Sequence, residues 1–258
     1  MAMPDPFDRS FRDRVLGGDT LLGLFLDLAS PTSAEICAAA GYDWLLIDLE
    51  HGASTEADLL GLIHAVQVGG STAFVRPQTG ERIRIGRALD QGARGIMVPR
   101  LESAEEAREA VTFLRYPPDG IRGMAIRVRG AGLGAVAHAE VSRLNQRVVG
   151  LIQIESTGAL RDADAIAAID GVDVLFVGPA DLTHSLRIPG QFEHPDYLAA
   201  LAAVSAACRK HGKAAGILVY DTAVVPRLLE LGYTVIGIGA DAAFVGDGAK
   251  RALAAARG

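Results

Sequence analysis

Short apolar runs rich in Val, Ile and Leu alternate along this chain with longer segments whose apolar residues recur at helical spacing. Runs of the first kind read as buried strands of a parallel sheet, and segments of the second kind as the helices that connect them. The pattern predicts strands over 21–28, 43–50, 72–78, 95–100, 148–156, 172–180, 214–220 and 233–240. Segments such as "SAEEAREAVTFLRY" and "DYLAALAAVSAACRKHG" predict helices between them. Helix ends are expected at Gly41, Gly92, Gly171, Gly212 and Gly232, because glycine enters the left-handed conformation of a helix C-terminus without a Cβ penalty. Eight strands in eight βα units, with no break in composition, predict a (β/α)8 TIM barrel of the α/β class forming one domain over 1–258. A doubly wound open sheet is the alternative. The one long irregular stretch, 116–146, follows the fourth strand and its helix, which places it away from the strand C-termini unless it folds back over them.

The hydrophobic fraction of 50% supports a large buried core. No run approaches the roughly 18 apolar residues of a membrane span, and the N-terminus "MAMPDPFDRSFRDRV" has no apolar signal core. A cytoplasmic, membrane-free protein is therefore expected. The net charge of −6 and the absence of a Lys/Arg block argue against nucleic acid. Cys37 and Cys208 fall in helical patterns without metal-type spacing and read as core residues.

Polar residues gather where four predicted strands end, the end at which barrel enzymes place their chemistry. Strand two ends in Asp48, Glu50 and His51; strand three in Arg76; strand five in Gln153 and Glu155; strand six in "GPADL" with Asp181. Each has an ordinary reading by itself: a solvated strand end, a turn cap, a surface terminus. Together they would require several coincidences on one face. Glu155 and Asp181, on neighbouring strands, suit a hard divalent ion, which takes one or two protein carboxylates. His51 has no nucleophilic Ser or Cys beside it and suits a proton-transfer base. Arg76 offers a fixed cation to a carboxylate or an enolate oxygen. Gly178 and the peptide after Pro179 offer backbone N–H groups to an anion. This set points to removal of a proton next to a carbonyl. The lysines, Lys210, Lys213 and Lys250, lie at no predicted strand end, which argues against a Schiff base.

The stretches "WLLIDLEHG", "FVRP", "LDQGARGIMVPRLESAEEAREAV", "RYPPDGIRG", "LIQIES", "VGPADLTHSLRIPGQFEHP" and "GKAAGIL" resemble, in order, the HpcH/HpaI family of metal-dependent (class II) pyruvate aldolases. That family includes 4-hydroxy-2-oxoheptanedioate aldolase and 2-keto-3-deoxy sugar acid aldolases of aromatic and sugar acid catabolism. The resemblance implies a barrel whose last helix packs on a neighbouring subunit of a homo-oligomer, hexamer or trimer. It implies Glu155 and Asp181 as ligands of Mg²⁺, Mn²⁺ or Co²⁺, and His51 as base, oriented by Asp90. Arg76 would stabilise the enolate. Gln153, Gly178, Pro179, Ala180 and Leu218 would line the substrate site, and Asp48 and Glu50 would hold water around the metal. The implied reaction is reversible cleavage of a 4-hydroxy-2-oxo acid to pyruvate and an aldehyde, with hydroxypyruvate as another nucleophile. Leu49 and "GAS" after the histidine depart from the family pattern. Two other readings are an acyl-coenzyme A ester lyase like the citrate lyase β-subunit, and a catalytically silent barrel that binds a 2-oxo acid.

Overall fold

The computed structural model describes Asp5 and residues 7–258. Eight parallel strands close into a barrel in sequence order: β1 (Leu21–Leu26), β2 (Trp44–Asp48), β3 (Thr72–Arg76), β4 (Gly95–Val98), β5 (Val149–Ile154), β6 (Val174–Val177), β7 (Ala214–Val219) and β8 (Tyr233–Ala240). Each predicted run contains its strand, and the open-sheet alternative is excluded by the β1–β8 pairing. Most strands stop before the predicted end, because the last residues of several runs leave the hydrogen-bonded ladder to form the rim. All five glycines expected at helix ends have positive φ, between 65° and 109°. Gly92, Gly212 and Gly232 directly follow helices.

Strand alternation divides the apolar residues between two cores. Outward-facing residues such as Leu45, Ile47, Ala73, Val75, Ile152 and Ile154 pack against the helices. The inward set includes Leu21, Phe25, Trp44, Leu46, Phe74, Met97, Leu151 and Phe176. Aromatic rings fill the barrel interior because glycines on neighbouring strands make room for them. A Cβ on Gly23 would lie 2.0 Å from the Trp44 ring, one on Gly95 2.4 Å from Phe74, and one on Gly216 2.5 Å from Phe176. Trp44 stacks on Phe74 with ring centroids 5.5 Å apart, and its indole N–H donates to the Leu21 carbonyl at 3.2 Å. The interior is therefore solid below the rim.

The helix Ser10–Gly17 closes the end where the strands begin. Phe11 meets Phe74 edge-on at 5.5 Å, and Val15 is buried in the inner core. Arg12 donates twice to buried Asp173, which also accepts from the Gly150 N–H. The irregular stretch forms short helical turns, Arg129–Gly134 and His138–Arg147, around a small core of Tyr116, Ala131, Val136, Val141 and Leu144. It packs on the C-terminal end of the helix Arg82–Gln91, where Gly130 touches the Leu89 carbonyl. It thus lies away from the rim, as expected.

The glycine-for-ring fit gives a direct test. Gly95→Ala is expected to destabilise the fold by about 1–3 kcal/mol or more through overpacking. Gly86→Ala, at a helical position with nothing within 4 Å of the new Cβ, is expected to be neutral or to stabilise by up to about 1 kcal/mol. Urea unfolding of both variants checks the contrast; equal effects would contradict it.

Candidate active site

Alternation on β2 carries Trp44 and Leu46 into the inner core and places Asp48 directly above them. The register pairs Asp48 with Arg76 at the end of β3. The guanidinium donates Nε to Asp48 Oδ1 at 2.9 Å and Nη2 to Oδ2 at 2.6 Å, a bidentate pair with both residues buried. Asp48 Oδ1 also accepts from the backbone N–H of Glu50 at 3.0 Å and, more weakly, from that of His51 at 3.4 Å. One carboxylate therefore sets both the arginine and the turn that carries the histidine. The expected water-organising role of Asp48 meets this geometry: both its oxygens are already occupied by Arg76.

The remaining nitrogen of Arg76, Nη1, lies 3.3 Å from Glu50 Oε2 and donates to Gln153 Oε1 at 3.4 Å. Gln153 in turn donates its amide to Glu155 Oε2 at 2.5 Å. The other oxygen of Glu155 accepts from the Arg100 N–H at 2.7 Å. Arg100 holds the left-handed conformation, with φ of 57°, at the rim beyond β4. Such backbone strain in a residue other than glycine persists where the surroundings enforce it. Here it accompanies an N–H aimed at Glu155.

Burial raises the Glu155 carboxyl to about 7, with further upward pushes from Asp181 and Glu50, against the lowering effect of the Arg100 N–H and Arg76. Burial also raises Glu50, whose Oε2 accepts no hydrogen bond. Asp181 is exposed at the start of the short helix Pro179–Ser185. Gly178 completes the set: a Cβ there would lie 2.7 Å from Glu155 Oε2 and 2.8 Å from the Gln153 amide nitrogen. The glycine keeps the face of Glu155 open.

The His51 side chain is 61% exposed at the rim, with Nε2 3.7 Å from Glu50 Oε2. Asp90 does not join it. It lies near the C-terminal end of the helix Arg82–Gln91, which returns the chain to the opposite end of the barrel, and accepts from Arg122 at 2.9 Å. Within one chain the fold thus separates His51 from Asp90, and the pairing expected between them is not made inside a single chain.

A cavity of about 720 Å³ opens over this layer and is lined by Asp48, His51, Arg76, Gln153 and Asp181, and also by Gly178, Pro179, Ala180 and Leu218. No lysine lines it. Lys210 pairs with Asp164, Lys213 donates to the Ile169 carbonyl and Lys250 pairs with Asp247. Sequence reasoning gave strands one and seven little part in the rim. The structure adds Asp27 and Phe25 from the β1 end and Tyr220 from the β7 end. Asp27 continues the inward alternation Leu21, Gly23, Phe25, as Asp48 continues Trp44 and Leu46 on β2.

Among the described residues, no group of three or more His, Cys, Asp and Glu side chains is arranged to hold a metal. What the rim supplies is an excess of oxygen donors. Arg76 offsets Asp48, which leaves Glu50, Glu155 and Asp181 without a full cationic partner.

Residues 21–246 match the HpcH/HpaI aldolase/citrate lyase family. The chain is 39% identical over 252 residues to a 2-keto-3-deoxy-L-rhamnonate aldolase of Klebsiella pneumoniae, covering 98% of this chain and 93% of that protein. It is 40% identical over 253 residues to a hydroxypyruvate/pyruvate aldolase of Paraburkholderia phytofirmans, covering 96% and 97%. A crystal structure of an HpcH/HpaI aldolase/citrate lyase family protein from Burkholderia cenocepacia superposes with a TM-score of 0.91 at 38% identity, covering 97% of this chain and all of that one. The inward row that carries Asp48, Arg76, Gln153 and Glu155 thus sits on a barrel shared along nearly its whole length, and the chain belongs to the HpcH/HpaI aldolase/citrate lyase family.

Proposed function

We propose that this protein is a divalent-metal-dependent aldolase that reversibly cleaves a 4-hydroxy-2-oxo acid into pyruvate and an aldehyde, with hydroxypyruvate as an alternative nucleophile. The observation that carries this reading is the rim layer itself: a buried arginine fixed by one carboxylate, beside two further carboxylates and an exposed histidine.

The donor set fits a hard cation. Glu155 is buried and pushed towards its neutral form, Asp181 adds a second oxygen donor, and glycine at 178 leaves their approach clear. Glu155 and Asp181 would hold Mg²⁺, Mn²⁺ or Co²⁺, which supplies Lewis acidity towards the oxygens of a 2-oxo acid. Arg76 Nη1, the nitrogen not bound by Asp48, faces the cavity and meets the negative charge that develops on a keto oxygen. Its two hydrogen bonds to Asp48 hold that nitrogen in place before substrate arrives. In cleavage His51 takes the proton of the 4-hydroxyl as the bond between carbons 3 and 4 breaks and delivers it to carbon 3 of the pyruvate enolate; in the reverse direction it takes that proton from pyruvate carbon 3. Glu50 Oε2 lies 3.7 Å from the His51 Nε2. Gln153 couples Arg76 to Glu155, and the backbone after Gly178 receives the substrate carboxylate. Leu218 and Phe25 supply the apolar wall.

Support for the aldolase over an acyl-coenzyme A ester lyase comes from the rim's charge. Nucleotide phosphates call for free cations, but Arg76 is committed to Asp48 and the other lining arginine, Arg227, pairs with Glu193 at 2.9 Å. The absence of lysine from the lining supports the metal route over a Schiff base. In the last helix, Asp241–Arg257, only Asp241 is buried, while Phe244, Val245 and Leu253 are exposed. These exposed apolar residues support a homo-oligomer in which a neighbouring subunit covers that helix. No helix among the described residues is long and apolar enough to cross a membrane.

Exchange of the pyruvate C3 hydrogens with D2O tests the proposal without knowledge of the aldehyde. Wild type with a divalent ion is expected to catalyse exchange, and His51→Ala to lose roughly 100-fold or more. Wild-type exchange that survives exhaustive EDTA treatment, or that is untouched in His51→Ala, would overturn it. Arg76→Lys keeps the charge but not the bidentate geometry, and an exchange loss of about 100-fold is expected. Metal addition to EDTA-stripped protein is expected to raise Tm by a few degrees, since the folded state alone binds the ion. Glu155→Gln should abolish that rise, as differential scanning fluorimetry would show; an undiminished rise would place the ion elsewhere.

A further inference from the structure

Glu155 and Asp181 stand at the ends of β5 and β6, with β7 beside β6 and β1 across the closed barrel from β5, so a 2-oxo acid held there can extend over the mouth towards the half formed by β7, β8 and β1. That half carries Asp27, one place beyond β1 and directly above Phe25 in the inward row. Its backbone is fixed. The Asp27 N–H donates to Asp241 at 2.8 Å, and its carbonyl accepts from the Ala53 N–H at 2.8 Å. Its side chain is different: among the described residues the carboxylate accepts no hydrogen bond and joins no ion pair, although it is half-buried and lines the cavity. The nearest guanidinium, Arg76, already serves Asp48 through two nitrogens.

The neighbouring Asp241 shows what a structural aspartate looks like in this region. Its carboxylate accepts from the backbone N–H groups of Asp27, Leu28 and Ala242 and from the Ser33 hydroxyl. Asp27 holds nothing together in this way. A half-buried carboxylate without a donor costs stability unless something else supplies one. Burial and the fields of Asp48 and Asp241 raise its carboxyl, which agrees with that cost. Tyr220 lies in the same sector and feels the Asp27 charge. Between them β8 offers Gly239, where a Cβ would meet Phe244 at 3.2 Å and Tyr220 at 3.8 Å. The sector therefore presents an acceptor and a phenol at the cavity mouth.

Resting on the aldolase reading above, we infer that Asp27, assisted by Tyr220, selects the aldehyde half of the substrate: it accepts a hydrogen bond from a hydroxyl of a neutral hydroxyaldehyde and repels an aldehyde that carries its own carboxylate. The favoured substrates are then 4-hydroxy-2-oxo acids with a further hydroxyl beyond carbon 4, and dioates are disfavoured. Like charges several ångströms apart in a partly desolvated cleft account for discrimination of roughly tenfold or more.

The test is synthesis with pyruvate and a divalent ion, using glyceraldehyde as the neutral hydroxyaldehyde and succinic semialdehyde as the anionic one. The ratio of the two kcat/KM values is the readout, because it cancels any change in the fraction of folded enzyme. Wild type is expected to favour glyceraldehyde at least tenfold. Asp27→Asn, which removes the charge and keeps an acceptor, is expected to shrink the ratio at least tenfold, and Asp27→Glu to keep most of it. A wild-type preference for succinic semialdehyde, or a ratio unchanged within twofold in Asp27→Asn, overturns the assignment. Pyruvate C3 exchange by wild type, measured without aldehyde, separates the two levels: exchange with an unmoved ratio removes only the role of Asp27, whereas absent exchange removes the aldolase reading beneath it.

Discussion

The buried ion pair between Asp48 and Arg76 is the constraint on which the rim depends. Removing a guanidinium and a carboxylate from water costs several kcal/mol per ion, and apolar residues of similar volume would often serve stability as well or better. The barrel nevertheless places the pair directly on top of an aromatic core. Trp44 and Leu46 lie below Asp48 in its row, and Phe74 lies below Arg76. That floor excludes water from beneath the pair, which strengthens its hydrogen bonds and limits its geometry to one arrangement. The fold thus accepts an electrostatic cost at the one level where a fixed cation faces the cavity.

The other groups follow from that pair through a short chain of bonds. Asp48 shapes the turn to Glu50 and His51 through their backbone N–H groups. Arg76 reaches Gln153, and Gln153 reaches Glu155. Three strands, β2, β3 and β5, are joined by side chains of one inward row. The charge around this chain is unequal. One arginine sits among Asp48, Glu50, Glu155 and Asp181, and burial above all, with Asp181 and Glu50 adding to it, raises the Glu155 carboxyl. In the proposed function a divalent ion would balance that surplus of carboxylates, while the carboxylate of Asp27 on the β1 side of the rim would offer an acidic surface to the second half of a substrate.

The barrel was legible because its signals are local and repeated: eight apolar runs, helical periodicity between them, and glycines before strands. Their place at predicted strand ends pointed to Asp48, Arg76, Gln153 and Glu155, and in the structure these share the inward parity of their strands. Asp27 has the same parity, but a single carboxylate at the end of β1 stands out less in the sequence than the several polar residues that end strands two and five. Asp90 illustrates the limit from the other side. Its place in a recognisable motif said nothing of which end of the barrel its helix would reach, and the pairing with Arg122 depends on a segment without periodicity. The Arg100 N–H was illegible for a different reason, since a backbone group and its positive φ leave no trace in residue type.

The central claim is that β2 and β3 hold a preset cation opposite a carboxylate metal site on β5 and β6. A crystal structure with a divalent ion and oxalate, a planar analogue of the pyruvate enolate, tests it most directly. The account predicts the ion on Glu155 and Asp181, an oxalate oxygen within hydrogen-bond distance of Arg76 Nη1, and the Asp48–Arg76 pair unmoved. An ion bound away from Glu155 and Asp181, or an Arg76 released from Asp48 and turned out of the cavity, would contradict it.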